Sequence, residues 1–232
     1  RPAPCPHFGQ CGGCSFQDLV YQEQLCQKKI YLTRVLKKYF PADYRYIEVE
    51  DVRPSPLEYY YRNKMEFSFG QAEREIYLGL REKTRIKTRQ RQKKVVRLDR
   101  CLISTPLVEK LFLLFQQLAK DSGLPAFDLK TNQGFFRHLV IREGKTSGEI
   151  MLSLITTSQA EINLTDFSRE VARDFPGIRS FWWVENNRTA DVVSYEKPHL
   201  IFGQETIEDC LLGFRFKIHQ SSFFQTNPRA AE

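Results

Sequence analysis

Three cysteines crowd one short loop, Cys5-x5-Cys11-Gly12-Gly13-Cys14, and a fourth, Cys101, follows the most basic stretch of the chain. Such a loop can wrap a single metal centre with three soft ligands at once. A centre that also takes Cys101 cross-links residues over eighty positions apart, which constrains the fold as a structural metal does. Gly12 and Gly13 suit the loop, because backbone wound around a metal needs positive φ or a close approach that a Cβ would obstruct. The ligand count does not name the metal: a four-cysteine zinc site and a [4Fe–4S] cluster both take four thiolates. The bland alternatives are a disulfide pair or buried free thiols. Six cysteines in 232 residues are sparse for a disulfide scaffold, and no hydrophobic signal segment precedes Cys5. Cys26 and Cys210 lie in apolar-periodic surroundings and read as core residues.

With 41% apolar residues the chain can build a proper core, in one large or two small domains. No window approaches the run of about 20 apolar residues that a transmembrane helix needs. The expectation is a soluble, cytoplasmic monomer. Charge is unevenly placed. The chain carries 35 basic and 28 acidic residues, of which ten and two lie between Arg81 and Arg100. Outside that segment 25 bases meet 26 acids, so the positive excess belongs to one stretch. The run RIKTRQRQKK holds no acid to relieve its self-repulsion, and such charges are better accommodated beside a polyanion. A solvated loop is the plain alternative. An anionic membrane fits less well, because large apolar residues are not interleaved.

Ser15 and Asp18 form a candidate capping box, after which Phe16, Leu19, Leu25, Leu32, Val35, Leu36 and Tyr39 recur at near-helical spacing until Pro41. Lysines crowd the C-terminal half of that helix, where they complement its dipole. Lys64–Phe69 alternates with period two, Gly70–Arg74 turns, and Ile76, Leu78 and Leu80 alternate again: a hairpin with one buried face. Val95–Leu98 reads as a third strand that delivers Cys101 just past its end. Thr105-Pro106 opens a helix that closes at Gly123. Phe135–Arg142 and Ile150–Thr156 flank a polar turn, Asn163–Phe175 looks helical, and Ser180–Val184, Leu200–Phe202 and Phe214–Ile218 read as further strands. The fold class is α+β, with a mixed, largely antiparallel sheet, flanking helices and an N-terminal cluster loop. Three parts follow: residues 1–40, loop and long helix; 41–218, a central α+β domain; and 219–232, where Ser221–Pro228 starts a helix.

The segments CPHFGQCGGCSFQDLVYQEQLCQKK, YYRNKMEFSFG, LDRCLI, FFRHLVIREG and SSFFQTN occur in an order that resembles the SAM-dependent RNA uracil-C5 methyltransferases of 23S rRNA and tRNA. The resemblance spans essentially the whole chain. It implies that Cys5, Cys11, Cys14 and Cys101 hold a [4Fe–4S] cluster and that Gln225 contacts S-adenosyl-L-methionine. It implies equally that the Gly-rich SAM loop, the nucleophilic cysteine and the carboxylate base belong to a catalytic domain that this chain only begins. By itself the chain is expected not to methylate RNA. Structured RNA is the expected partner, 23S rRNA ahead of tRNA, although a basic run longer than the family resemblance implies leaves the choice between them open. Arg62, Lys64, Arg81, Lys83, Arg85, Lys87, Arg89 and Arg91 are the candidate phosphate contacts. Arg137 and His138 are candidates from a strand edge, with His138 readable also as a satisfied sheet histidine. The rival reading is a stand-alone RNA-binding module with zinc in the same site. An electron-transfer ferredoxin fits poorly, given the basic segment.

Overall fold

A computed structural model describes residues 1–73, 75–83 and 94–232. The elements in chain order are α1 (Tyr21–Tyr39), β1 (Lys64–Ala72), β2 (Glu75–Arg81), β3 (Val95–Arg97), α2 (Pro106–Ser122), β4 (Phe136–Glu143), β5 (Ile150–Thr156), α3 (Thr165–Asp174), β6 (Ile178–Glu185), β7 (Lys197–Gly203), β8 (Thr206–Leu211), β9 (Phe214–His219) and α4 (Pro228–Ala231). Seven strands form one sheet in the order β3-β2-β1-β4-β5-β6-β7, and β8 pairs with β9 apart from it. Within the large sheet β5 and β6 run parallel and every other pair antiparallel. The expected α+β class with a mixed, largely antiparallel sheet holds. The one parallel pair needs a crossover, and α3 supplies it.

One face of the sheet packs on α2. Met65, Phe67 and Phe69 of β1, Leu139 and Ile141 of β4, and Phe181 of β6 meet Val108, Leu111, Phe112, Phe115 and Ala119 in a single core. Phe67 meets Phe112 edge-on at 4.9 Å, and Phe115 meets Phe181 at 5.6 Å. Helix α2 begins as its sequence predicts: Thr105 accepts the amide of Val108, Pro106 follows, and Gly123 closes the helix at φ 67°. The opposite face is narrower. Val140, Met151, Ile155, Trp182 and Val184 lie beneath Ile207 and Ile218 of the β8–β9 hairpin.

Four local expectations need correction. Helix α1 starts at Tyr21, and Val20 supplies no side-chain cap. The Ser15–Asp18 capping box does not form, because residues 15–20 continue the cysteine loop and Gln17 turns inward to Cys14. Cys26 is exposed rather than core, since only Leu25 of α1 is buried, and Cys210 is half-buried. Strand β1 runs on to Ala72, so the hairpin turn is tighter than Gly70–Arg74. Strand β8 was not foreseen. Its buried Asp209 breaks the apolar alternation, and it accepts the amides of Lys145, Thr146 and Cys210 instead of meeting water.

Candidate metal centre and nucleic-acid interface

The cysteine loop is built onto the free end of β2. Cys11 bridges Glu82 in antiparallel fashion, the Gly12 amide donates to the Arg81 carbonyl at 2.9 Å, and the Lys83 amide donates to the Gln10 carbonyl at 2.7 Å. A Cβ on Gly12 would stand 2.9 Å from that Arg81 oxygen, and one on Gly13 would stand 3.4 Å from Cys11 Sγ. The close approach expected of this pair is present at Gly12. From the other side, the turn after β3 brings in Cys101. His7 Nε2 accepts the Asp99 amide at 3.1 Å, tying the loop to a position two residues before Cys101. Cys11 sits in the main core, and Cys14, Leu80 and Cys101 pack against it.

The thiols share one electrostatic environment. Burial pushes the Cys14 thiol up to about 11; the amide of Gln17 opposes the rise, and the thiols of Cys101, Cys11 and Cys5 add to it. Cys11 is raised in the same way, first by burial and then by Cys101 and Cys5, against a lowering hydrogen bond from the Gly13 amide. Thiolates that disfavour one another in a half-buried site are stabilised by a cation set among them. The donor set therefore suits a four-thiolate centre. Two N–H groups already face sulfur: Gly13 N–H to Cys11 Sγ at 3.3 Å, and Gln17 Nε2 to Cys14 Sγ at 3.2 Å. Among the described residues, no group of three or more histidine, cysteine, aspartate or glutamate side chains is arranged to hold a single metal ion.

The candidate phosphate ligands are dispersed. Lys83 leans on the cysteine loop, its Nζ 5.4 Å from the Phe8 ring centroid and 3.5 Å from the Cys14 carbonyl. Arg81 pairs with Asp191 at 2.5 Å and Lys64 with Glu66 at 2.5 Å. Arg62 is half-buried beside Ile103, whose carbonyl accepts its amide. Arg85, Lys87, Arg89 and Arg91 lie outside the described residues. Arg137 and His138 are not at a strand edge, because β4 lies between β1 and β5. Arg137 is 3% exposed, donates to the carbonyls of Asn186, Arg188 and Ala190, and lies over the Phe127 ring at 4.4 Å. His138 is 5% exposed against Ser68. Both are internal ties rather than RNA contacts.

Gln225 is exposed, and its carbonyl accepts Asn63 Nδ2 at 2.8 Å while the Asn63 amide donates to Thr226. The C-terminal segment is thus docked at the start of β1, between Arg62 and Lys64. A cleft of about 310 Å³ lined by Cys14, Gln17, Tyr21, Tyr61 and Asn227 connects that segment to the thiol site. Sequence reading missed Gln17, His7 and Asn63. Gln17 gave the one local signal, a polar side chain three residues beyond a ligand-type cysteine; the other two act across long sequence distances.

No family model matches the chain. It is 35% identical over 236 residues to an uncharacterized RNA methyltransferase of Caldanaerobacter subterraneus subsp. tengcongensis, covering 99% of this chain and 50% of that protein. An uncharacterized RNA methyltransferase of Clostridium tetani is 33% identical, with 99% and 49% covered. In structure the chain is similar to the Pyrococcus abyssi tRNA (uracil-54, C5)-methyltransferase, solved with S-adenosyl-L-homocysteine. That match has a TM-score of 0.70 and 28% identity, covering 94% of this chain and 48% of the other. The chain spans about half the length of the curated relatives it matches.

Proposed function

We propose that this chain, which belongs to the RNA methyltransferases, is the RNA-contacting, cluster-holding part of a uracil-C5 enzyme of the kind it is similar to in structure. The observation that carries the reading is the convergence of Cys5, Cys11, Cys14 and Cys101 beside the basic end of β2. One zinc ion needs its four sulfurs about 2.3 Å from a single point. A [4Fe–4S] cluster seats each thiolate on a different iron and so keeps the sulfurs further apart. Four thiols within electrostatic reach of one another suit either centre, and the resemblance carried by the cysteine loop favours the cluster. Bound there, the cluster supplies a covalent cross-link. Methyl transfer to uracil involves no net electron transfer, so the role assigned to it is structural.

Methylation at uracil C5 needs a thiolate that adds at C6, a methyl donor, and a base that removes the C5 proton. The four converging cysteines are committed to the cluster in this reading, and Cys26 and Cys210 stand apart from them. The reading assigns the nucleophile to the part of the relatives' length that this chain does not span. SAM supplies the electrophilic methyl group, and this chain's contribution to its site is Gln225, held by Asn63 at the base of β1. The target base must leave its stack to be reached from both faces. Gripping the surrounding RNA backbone, with Lys83, Arg62, Lys64 and the basic run after Lys83, offsets part of that cost.

The test pairs two titrations on protein purified without oxygen. A uridine-rich RNA hairpin should bind with an affinity that falls steeply with salt, and SAM alone should give no measurable heat in calorimetry. Binding indifferent to salt, or micromolar SAM affinity, overturns the division of labour.

A further inference from the structure

Helix α1 is attached to the body along a thin line. Of its 19 residues only Leu25 is buried. Its lateral ties run to the loop before β1: the Ser55 amide donates to the Tyr21 hydroxyl at 2.6 Å, and Lys29 pairs with Asp51 at 2.7 Å. The rest of the helix and the turn that follows expose large rings. Tyr31 is 70% accessible, Tyr39 64% and Tyr46 77%, with Phe40 beside them. Between Tyr21 and Ile47 six bases (Lys28, Lys29, Arg34, Lys37, Lys38, Arg45) face two acids, Glu23 and Asp43. The cations of the last turn do more than complement the helix dipole. Lys37 lies over the Tyr44 ring at 5.0 Å, Lys38 over Tyr39 at 5.1 Å, and Arg45 over Tyr46 at 4.9 Å. Gln27, Tyr31, Arg34 and Lys38, spaced i, i+4, i+7 and i+11, share one exposed face.

We infer that α1 and the turn after it bind an unpaired stretch of RNA, with Tyr31 and Tyr46 stacking on bases and Arg34 and Lys38 meeting phosphates. The inference rests on the RNA-contacting reading above and adds a second surface to it. Charge complementarity selects a polyanion, and the rings select one whose bases are free. A ring covered by a cation on one side keeps its other side for a base, and stacking of this kind tolerates any sequence. An acidic peptide would use the cations and leave the rings idle. A lipid surface would call for a broad aliphatic stripe, whereas the exposed line here is Gln27, Tyr31, Arg34 and Lys38. At about 1.5 Å per residue the helix extends roughly 28 Å, room for several nucleotides.

The probes are a short fluorescein-labelled oligouridine and an RNA duplex of the same length. The variants are Tyr31→Ala and Arg34→Glu/Lys38→Glu, with Arg169→Glu on α3 as control. Each is matched to the parent protein in melting temperature and iron content. Arg34→Glu/Lys38→Glu should weaken oligouridine binding roughly tenfold or more and flatten its salt dependence by about 1.4 in log–log slope, two single-strand phosphates' worth. Tyr31→Ala should weaken it about five- to hundredfold, with duplex binding little changed by either and the control neutral. If the parent protein binds RNA but both α1 variants bind as well as it does, the α1 surface is refuted while the RNA reading stands. If the charge variant weakens both probes equally and Tyr31→Ala neither, the assignment to unpaired RNA is refuted. If the parent protein binds neither probe, both readings fall.

Discussion

His138 sits on a strand interior to the sheet, with Ser68 3.2 Å from its Nδ1. Burial pushes its pKa down to about 3 from the ordinary 6.5, and the charges of Arg81 and Arg137 add to the shift. A base held neutral when folded, yet ready to protonate when unfolded, contributes stability that is complete above about pH 6.5. That stability is lost as pH falls toward 3, by at most roughly 1.4 kcal/mol per pH unit. His138→Gln is therefore predicted to flatten the fall in urea midpoint between neutral pH and about pH 4.5 relative to the native protein. Parallel profiles would mean the imidazole is not held neutral. Neighbouring Arg137 is likewise committed to three carbonyls of the 186–190 loop. The sequence FFRHLVIR marks a strand clearly, since its apolar residues are continuous. Whether that strand is interior or at an edge depends on partners sixty to eighty residues away, and so the roles of Arg137 and His138 could not be read locally.

Elements whose ends are set by local chemistry were legible, as α2 shows with Thr105, Pro106 and Gly123. Elements set by tertiary recruitment were not. Ser15 and Asp18 look like the start of a helix, but residues 15–20 continue the cysteine loop, where Gln17 meets Cys14; Asp209 hides β8 because its partners are the amides of a distant turn. The pairing of β2 with β3 rests on a glycine that sequence alone gave no reason to single out. A Cβ on Gly79 would stand 1.9 Å from the Val96 carbonyl oxygen, inside the β2–β3 ladder. Gly79→Ala is predicted to cost about 3 kcal/mol, the upper part of the usual range for overpacking. It should also loosen Cys101, which β3 delivers. Thermal unfolding and iron retention measured together check this; a variant that keeps both would show that β3 shifts without consequence.

At the scale of the whole molecule, a seven-stranded sheet carries a cysteine loop at the end of β2 and a docked C-terminal segment at the base of β1. The candidate centre was visible in the sequence because its residue types are rare and closely spaced. Its setting was not: the His7–Asp99 tie, the Gln17 donor and the seating of Gly12 on Arg81 each join segments that only the fold brings together. The basic run was visible as charge, whereas the tyrosine–lysine face of α1 was hidden by reading its lysines as dipole partners. In the proposed reading the loop, the turn after β3 and α1 form one RNA-facing end that a cluster would cross-link. The most direct test is to count iron, zinc and acid-labile sulfide per chain on protein purified without oxygen, beside Cys101→Ala. The account predicts about four iron and four sulfide per chain, lost together in the variant. One zinc with no sulfide, or iron retained without Cys101, would contradict it.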